Sequence, residues 1–169
     1  MYGKGGRGYR SRNSAGTLRS TPKRLTADEL WEAMQAGHLA FHAELSRILE
    51  RHGMIVSEFR ALCILSRGPA TLSILAAKLG LTPATLTDIA RDLEQRGWTR
   101  RTTKRSDRRA QILTITASGR RDLKSAQKEK IALIKRVENA MTPISRDALA
   151  GALQDMLRAI GELHERGGR

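Results

Sequence analysis

The sequence predicts a mainly α-helical chain with one small β-hairpin. Three observations lead there. Apolar residues recur at helical spacing from Thr26 to Arg67, from Ser73 to Gln95 and from Thr116 to Leu163. Strand-like character is confined to Trp98–Lys104 and Ala110–Ile115, on either side of the charged stretch Arg105–Arg109. Threonines stand where helix N-caps belong (Thr26, Thr82, Thr116, Thr142), and Gly53, Gly80 and Gly97 stand where helices stop.

Taken in order, residues 1–24 are rich in Gly, Arg and Ser, lack apolar periodicity, and are expected to be disordered when free. A helix starts at Thr26, with Asp28 and Glu29 in its first turn where the helix dipole favours acids. Leu30, Met34, Phe41, Leu45 and Ile48 line one face, and Trp31, Ala40 and Leu49 widen it beyond what one packing partner needs. A second subunit is therefore expected to cover part of this helix. Gly37 lies mid-helix, which predicts a bend or a close helix crossing. Ser57 opens a second helix that Gly68-Pro69 ends. Ala70–Leu72 can form a very short strand. Ser73 is expected to cap the next helix and Gly80 to end it. Thr82 then caps a further helix with Pro83 at its first position, where the missing N–H costs nothing.

In that helix Leu86, Ile89, Ala90 and Leu93 form the buried face, while Thr85, Thr87, Asp88 and Arg91 point elsewhere. The two strands follow, joined by Arg105–Arg109, with Trp98 packing at the base of the hairpin. Thr116 caps a long helix reaching Asn139, and Thr142-Pro143 opens a last one carrying Leu149, Leu153, Met156, Ile160 and Leu163. Two short helices across a glycine turn, then a hairpin with a cationic tip, make a winged helix-turn-helix. Such a unit lays its second helix in the major groove of duplex DNA, and an arginine-tipped wing reaches the adjacent minor groove.

Charge supports a polyanionic partner. The net charge is +14, and residues 1–24 carry +7 of it with no acid. Residues 96–109 carry a further +6, so the rest of the chain nets only +1. A merely solubilising surface would mix its signs. The single cysteine, Cys63, excludes an internal disulfide and fits a reducing compartment; a cytoplasmic, nucleoid-associated protein is expected. No apolar run approaches the length of a membrane span, and no apolar stretch follows the N-terminal cations, so neither membrane nor secretory signal is expected.

The segment from Ser57 to Gly119 resembles the MarR family of transcription regulators. The resemblance rests on S-x-F-R-A-L at Ser57–Leu62, L-A-x-x-L-G-L-T at Leu75–Thr82, and L-E-x-R-G at Leu93–Gly97. Its most specific pieces are D-x-R at Asp107–Arg109 and I-T-x-x-G at Ile115–Gly119. It implies a homodimer held by the N-terminal helix (25–55) and the C-terminal helices (117–166), flanking a DNA-binding domain at 56–116. It also implies a pseudo-palindromic operator. In that pattern Arg109 enters the minor groove, Asp107 orients it, and Arg108 reaches phosphate, with Arg101, Lys104 and Arg105 adding cations to the wing. Thr85, Thr87 and Arg91 lie near base edges or phosphates. Asp88 departs from the pattern: a carboxylate there repels phosphate, though it can accept from cytosine N4 or pair with Arg91 or Arg105. A small-molecule effector, where one exists, would sit near Trp31, His38, Phe41, His42 and Phe59.

Other chemistries lack residues to carry them. His38 and His42 have metal-ligand spacing but no third ligand nearby, so no metal is expected. Cys63 lies in the apolar run ALCIL and is expected to be an inert core thiol rather than a redox sensor. There is no Ser-His-Asp order, no paired-carboxylate motif, and the tail glycines follow no strand and open no helix, so neither enzyme nor cofactor is expected. Two functions remain. One is a sequence-specific regulator of transcription, a repressor for preference. The other is an architectural, chromatin-like protein of low sequence specificity, to which the basic tail and Asp88 lend weight.

Overall fold

The computed structural model describes residues 25–104 and 107–167, and for 103–104, 107–110 and 164–167 the backbone only. The expected disordered tail, residues 1–24, lies outside the described residues. Six helices and three strands follow one another as α1 (Ala27–Glu50), α2 (Val56–Leu65), β1 (Ala70–Thr71), α3 (Leu72–Leu79), α4 (Pro83–Gln95), β2 (Thr99–Lys104), β3 (Asp107–Ile115), α5 (Ala117–Ala140) and α6 (Pro143–Gly167). The chain divides into two units, Met1–His38 and Leu39–Arg169.

In the first unit Thr26 caps α1 reciprocally. Its hydroxyl accepts from the Glu29 amide at 3.2 Å, and the Glu29 carboxylate accepts from the Thr26 amide at 2.9 Å. α1 runs as helix through Gly37, and a Cβ there would meet nothing within 4 Å.

The second unit holds the core. Leu45 and Leu49 of α1, Phe59, Leu62 and Leu65 of α2, Leu75 of α3, Leu86 and Leu93 of α4, Leu113 of β3 and Leu123 of α5 are all buried in one cluster. These are the apolar positions that helical and strand periodicity select, and their removal from water is the main favourable contribution to the fold. Among the described residues Glu58 is the one buried carboxylate.

Three expected boundaries move. The second helix begins at Val56 rather than at Ser57, because Glu58 reaches back to the Ile55 amide at 2.9 Å and a serine cap is not needed. Thr71, not Ser73, caps α3: its hydroxyl accepts from the Ile74 amide at 3.3 Å, which brings Leu72 and Ser73 into the helix and shortens β1 to two residues. The second hairpin strand begins at Asp107 rather than at Ala110, since the ladder continues to a Lys104↔Asp107 pair past an irregularity at Thr103/Lys104, while the first begins one residue late, at Thr99. The sheet is antiparallel in the order β1-β3-β2, so the hairpin gains a third strand through Ala70↔Leu113.

The other caps stand where expected. Thr82 accepts from the Thr85 amide with Pro83 at the first helical position. Thr116 accepts from the Gly119 amide. Gly80 turns the chain between α3 and α4 with φ +67, a conformation that favours glycine.

Among the described residues Leu133 of α5 is buried, but many other apolar side chains of α5's second half and of α6 are not. Ile131, Ile134, Val137, Leu149, Leu153, Leu157 and Ile160 are all exposed.

Candidate nucleic-acid interface

The interface is built on α4. Its apolar face of Leu86, Ile89, Ala90 and Leu93 packs on the core, which leaves Thr85, Thr87, Asp88 and Arg91 together on the exposed side. Each of these side chains has a partner. Thr87 donates its hydroxyl proton to the Pro83 carbonyl at 2.8 Å, so outward it can only accept. The hydroxyls of Thr82 and Thr85 lie 2.8 Å apart. Asp88 pairs with Arg91 at 2.9 Å across one turn, the first of the two pairings the sequence left open. Both members are well exposed, so the pair is open to exchange with a ligand.

The hairpin is fixed to α4 by Arg101. Its guanidinium lies 2.8 Å from Glu94 of α4 and donates to Gln111 Oε1 of β3 at 2.6 Å. The sequence counts Arg101 among the DNA-binding cations of the wing, and in the structure its side chain is half-buried between Glu94 and Gln111. Arg100 points the other way and is exposed. The signal was available: strand alternation puts Arg101 on the same face as buried Thr99, opposite Leu113. Of the remaining wing residues, Lys104, Asp107, Arg108 and Arg109 lie on the paired strands, with their side chains outside the described residues. Arg105 lies outside the described residues altogether.

Trp98 packs at the base of the hairpin as expected. It is buried, and its indole Nε1 donates to Asp122 Oδ2 of α5 at 2.7 Å.

The expected effector residues do not converge within the second unit. Phe59 is only 4% exposed and belongs to the core, with the Lys130 ammonium 5.9 Å from its ring centre. Phe41 is exposed on α1. Trp31 and His38 belong to the first unit. A concavity of about 410 Å³ does exist, lined by His42, Ser46, Glu50, Met54, Ile55, Val56, Ser57 and Arg60. His42 is the one expected residue among them, and its Nδ1 lies 3.5 Å from Ser46 Oγ.

Cys63 is half-buried against the core and accepts from Gln127 Nε2 at 3.6 Å. Among the described residues no group of three or more His, Cys, Asp or Glu side chains is arranged to hold a metal ion, and no helix is long and apolar enough to cross a membrane.

A helix exposed after a glycine turn, with a three-stranded wing braced against it, defines a winged helix-turn-helix protein. Residues 56–110 match the MarR family model. Several solved structures share the fold over most of the chain. The Streptomyces coelicolor MarR family regulator Sco3205, crystallised with DNA, is 24% identical, with 85% of this chain and 92% of that chain covered at a TM-score of 0.70. CouR from Rhodococcus jostii, bound to p-coumaroyl-CoA, is 23% identical, with 79% and 92% covered at a TM-score of 0.68. The regulator BldR from Sulfolobus solfataricus is 23% identical, with 80% and 99% covered at a TM-score of 0.66. No curated protein matches the chain in sequence.

Proposed function

We propose that the chain is a double-stranded DNA-binding regulator of transcription that works as a homodimer and represses, with its DNA affinity set by a small-molecule effector. The observation that carries this reading is the face of α4. Thr85, Thr87, Asp88 and Arg91 stand exposed on a helix whose opposite face is locked into the core and braced to a cation-rich hairpin. In the major groove Thr87 accepts from an exocyclic amino group, since its own proton is committed to Pro83. Arg91 leaves Asp88 for phosphate or a guanine edge. Arg109 enters the minor groove with Asp107 beside it, and Arg108, Lys104 and Arg105 take phosphates.

The homodimer is supported by the uncovered apolar side chains of α5 and α6, which a second copy would bury. The effector reading is supported by the concavity beside His42, at the junction of α1 and α2. A ligand there acts only through unequal affinity for the arrangements that do and do not bind DNA. CouR, solved with a bound acyl-CoA, and Sco3205, solved with DNA, both share the fold.

Selection of bound sequences from random duplex DNA tests the reading. A pseudo-palindrome with half-sites about one helical turn apart is the expected result, with the best site bound about 10³-fold or more tighter than random duplex at fixed salt. Arg109→Ala should weaken that binding by about 1–3 kcal/mol, most at A·T-rich flanks. An unchanged affinity in this variant removes Arg109 from the interface. A low-specificity architectural role is favoured by one observation, the Asp88 carboxylate on the reading face. A preference below about tenfold would establish it instead.

A further inference from the structure

Arg96 stands where the reading helix meets the rest of the protein. It is the C-cap of α4, one residue before the glycine that turns the chain into the wing. Its Nη1 donates to the Gly53 carbonyl in the turn after α1 and lies 3.7 Å from Glu58 Oε2 of α2. Its guanidinium also stacks on the Trp98 ring, 5.1 Å from the ring centre. Trp98 passes the connection to α5 through its 2.7 Å bond to Asp122.

This clamp does what the apolar packing cannot. Leu86, Ile89, Ala90 and Leu93 hold α4 against the core, but apolar contact is non-directional and resists small rotations weakly. Polar contacts at one end of the helix fix its angle. Glu58 is 2% exposed, and a buried carboxylate needs both hydrogen bonds and a countercharge. Its Oε2 accepts from the Ile55 amide, and Arg96 supplies the charge. A flat guanidinium can stack on an indole while its edge reaches a carbonyl and a carboxylate, which an ammonium cannot do at once.

We infer that Arg96, clamped by Gly53, Glu58 and Trp98, is a positioning residue that sets the angle of α4 and the wing against α5, and through that angle the sequence preference of α4. The inference rests on the DNA-binding reading above. A small change in helix angle moves every outward side chain together, so the loss falls on specific contacts and spares charge-driven, unspecific binding.

The test uses the full chain carrying Trp31→Phe, which leaves Trp98 as the sole tryptophan, since the protein has two. In this background Arg96→Met, Arg96→Lys and Glu58→Gln are compared by the NMR resonance of the Trp98 indole proton without DNA, by thermal midpoint, and by affinity for the selected and random duplexes at one salt concentration. Arg96→Met should shift the indole resonance and lower the ratio of selected to random affinity about tenfold or more, with random-duplex affinity within about twofold. Arg96→Lys should recover part of that ratio by restoring the charge beside Glu58. Glu58→Gln keeps an acceptor for the Ile55 amide while removing the charge opposite Arg96, and should lower the ratio even if Arg96→Met fails to fold.

A folded variant with a shifted resonance and an unchanged ratio overturns the inference, as does an unshifted resonance. A parent chain that itself shows no preference among duplexes would instead sink the DNA-binding reading, and its outcome is visible before any variant is made.

Discussion

Single residues at the wing base leave no room for change. Thr116 joins the hairpin to α5: its amide donates to the Trp98 carbonyl at 2.9 Å, and its hydroxyl donates to the Gly97 carbonyl at 2.7 Å, lies 3.2 Å from the Trp98 carbonyl and accepts from the Gly119 amide at 3.0 Å. Gly119 therefore lies against the Trp98 backbone, and a Cβ there would come 3.0 Å from the Trp98 carbonyl carbon. Backbone held by those bonds cannot retreat. Gly119→Ala should destabilise the fold by about 1–3 kcal/mol, the usual cost of forced overpacking. A urea midpoint equal to that of the parent would show that the junction yields. The sequence shows the glycine in its motif, but the carbonyl that excludes a side chain becomes visible only when α5 is folded back onto the hairpin.

Between elements, α1 and α5 are tied by ions rather than by apolar side chains alone. Glu129 of α5 lies 2.5 Å from Arg51 and 2.8 Å from the His52 ring, both in the turn that follows α1. The Arg51 hydrogen bond, and after it that of His52, hold the Glu129 carboxyl below its ordinary value of 4.5. A depressed folded pKa contributes stability that is fully present above 4.5 and is lost as the pH falls through the folded value. Denaturation midpoints should therefore drop on acidification below 4.5, and Glu129→Gln should flatten that drop while lowering stability at neutral pH. Parallel pH profiles for parent and variant would show that the tie carries no weight. No periodicity reveals this tie, because Arg51 and Glu129 are separated by 78 positions in the chain.

For the whole molecule, α6 poses the main question of cohesion. Leu149, Leu153, Leu157 and Ile160 are exposed on it, and a long helix with an uncovered apolar stripe draws most of its stability from a packing partner. The proposed homodimer supplies one. Light scattering should give twice the chain mass of 18.7 kDa. Replacing Leu153 and Leu157 by Asp should return it to the single-chain mass and weaken binding to a palindromic duplex far more than to a half-site, because paired half-sites reward paired subunits. A parent that stays at the single-chain mass at micromolar concentration removes the homodimer from the account.

The sequence by itself determined what is local. Threonine caps at Thr26, Thr82 and Thr116, the glycine turns and the apolar spacing of α4 depend on neighbours a few residues away, so they are written in the order of residues. The charged hairpin and the motifs from Ser57 to Gly119 belong to the same level and point to the family model that residues 56–110 match. Tertiary structure alone decided which polar groups meet. It set Arg101 between Glu94 and Gln111, drew Phe59 into the core, and brought Arg96 to Gly53 across 43 positions and Trp98 to Asp122 across 24. Apolar burial follows a period that a sequence displays. The partner of a buried or half-buried polar group is set by the direction of a hydrogen bond between distant segments, and that direction exists only once those segments have packed.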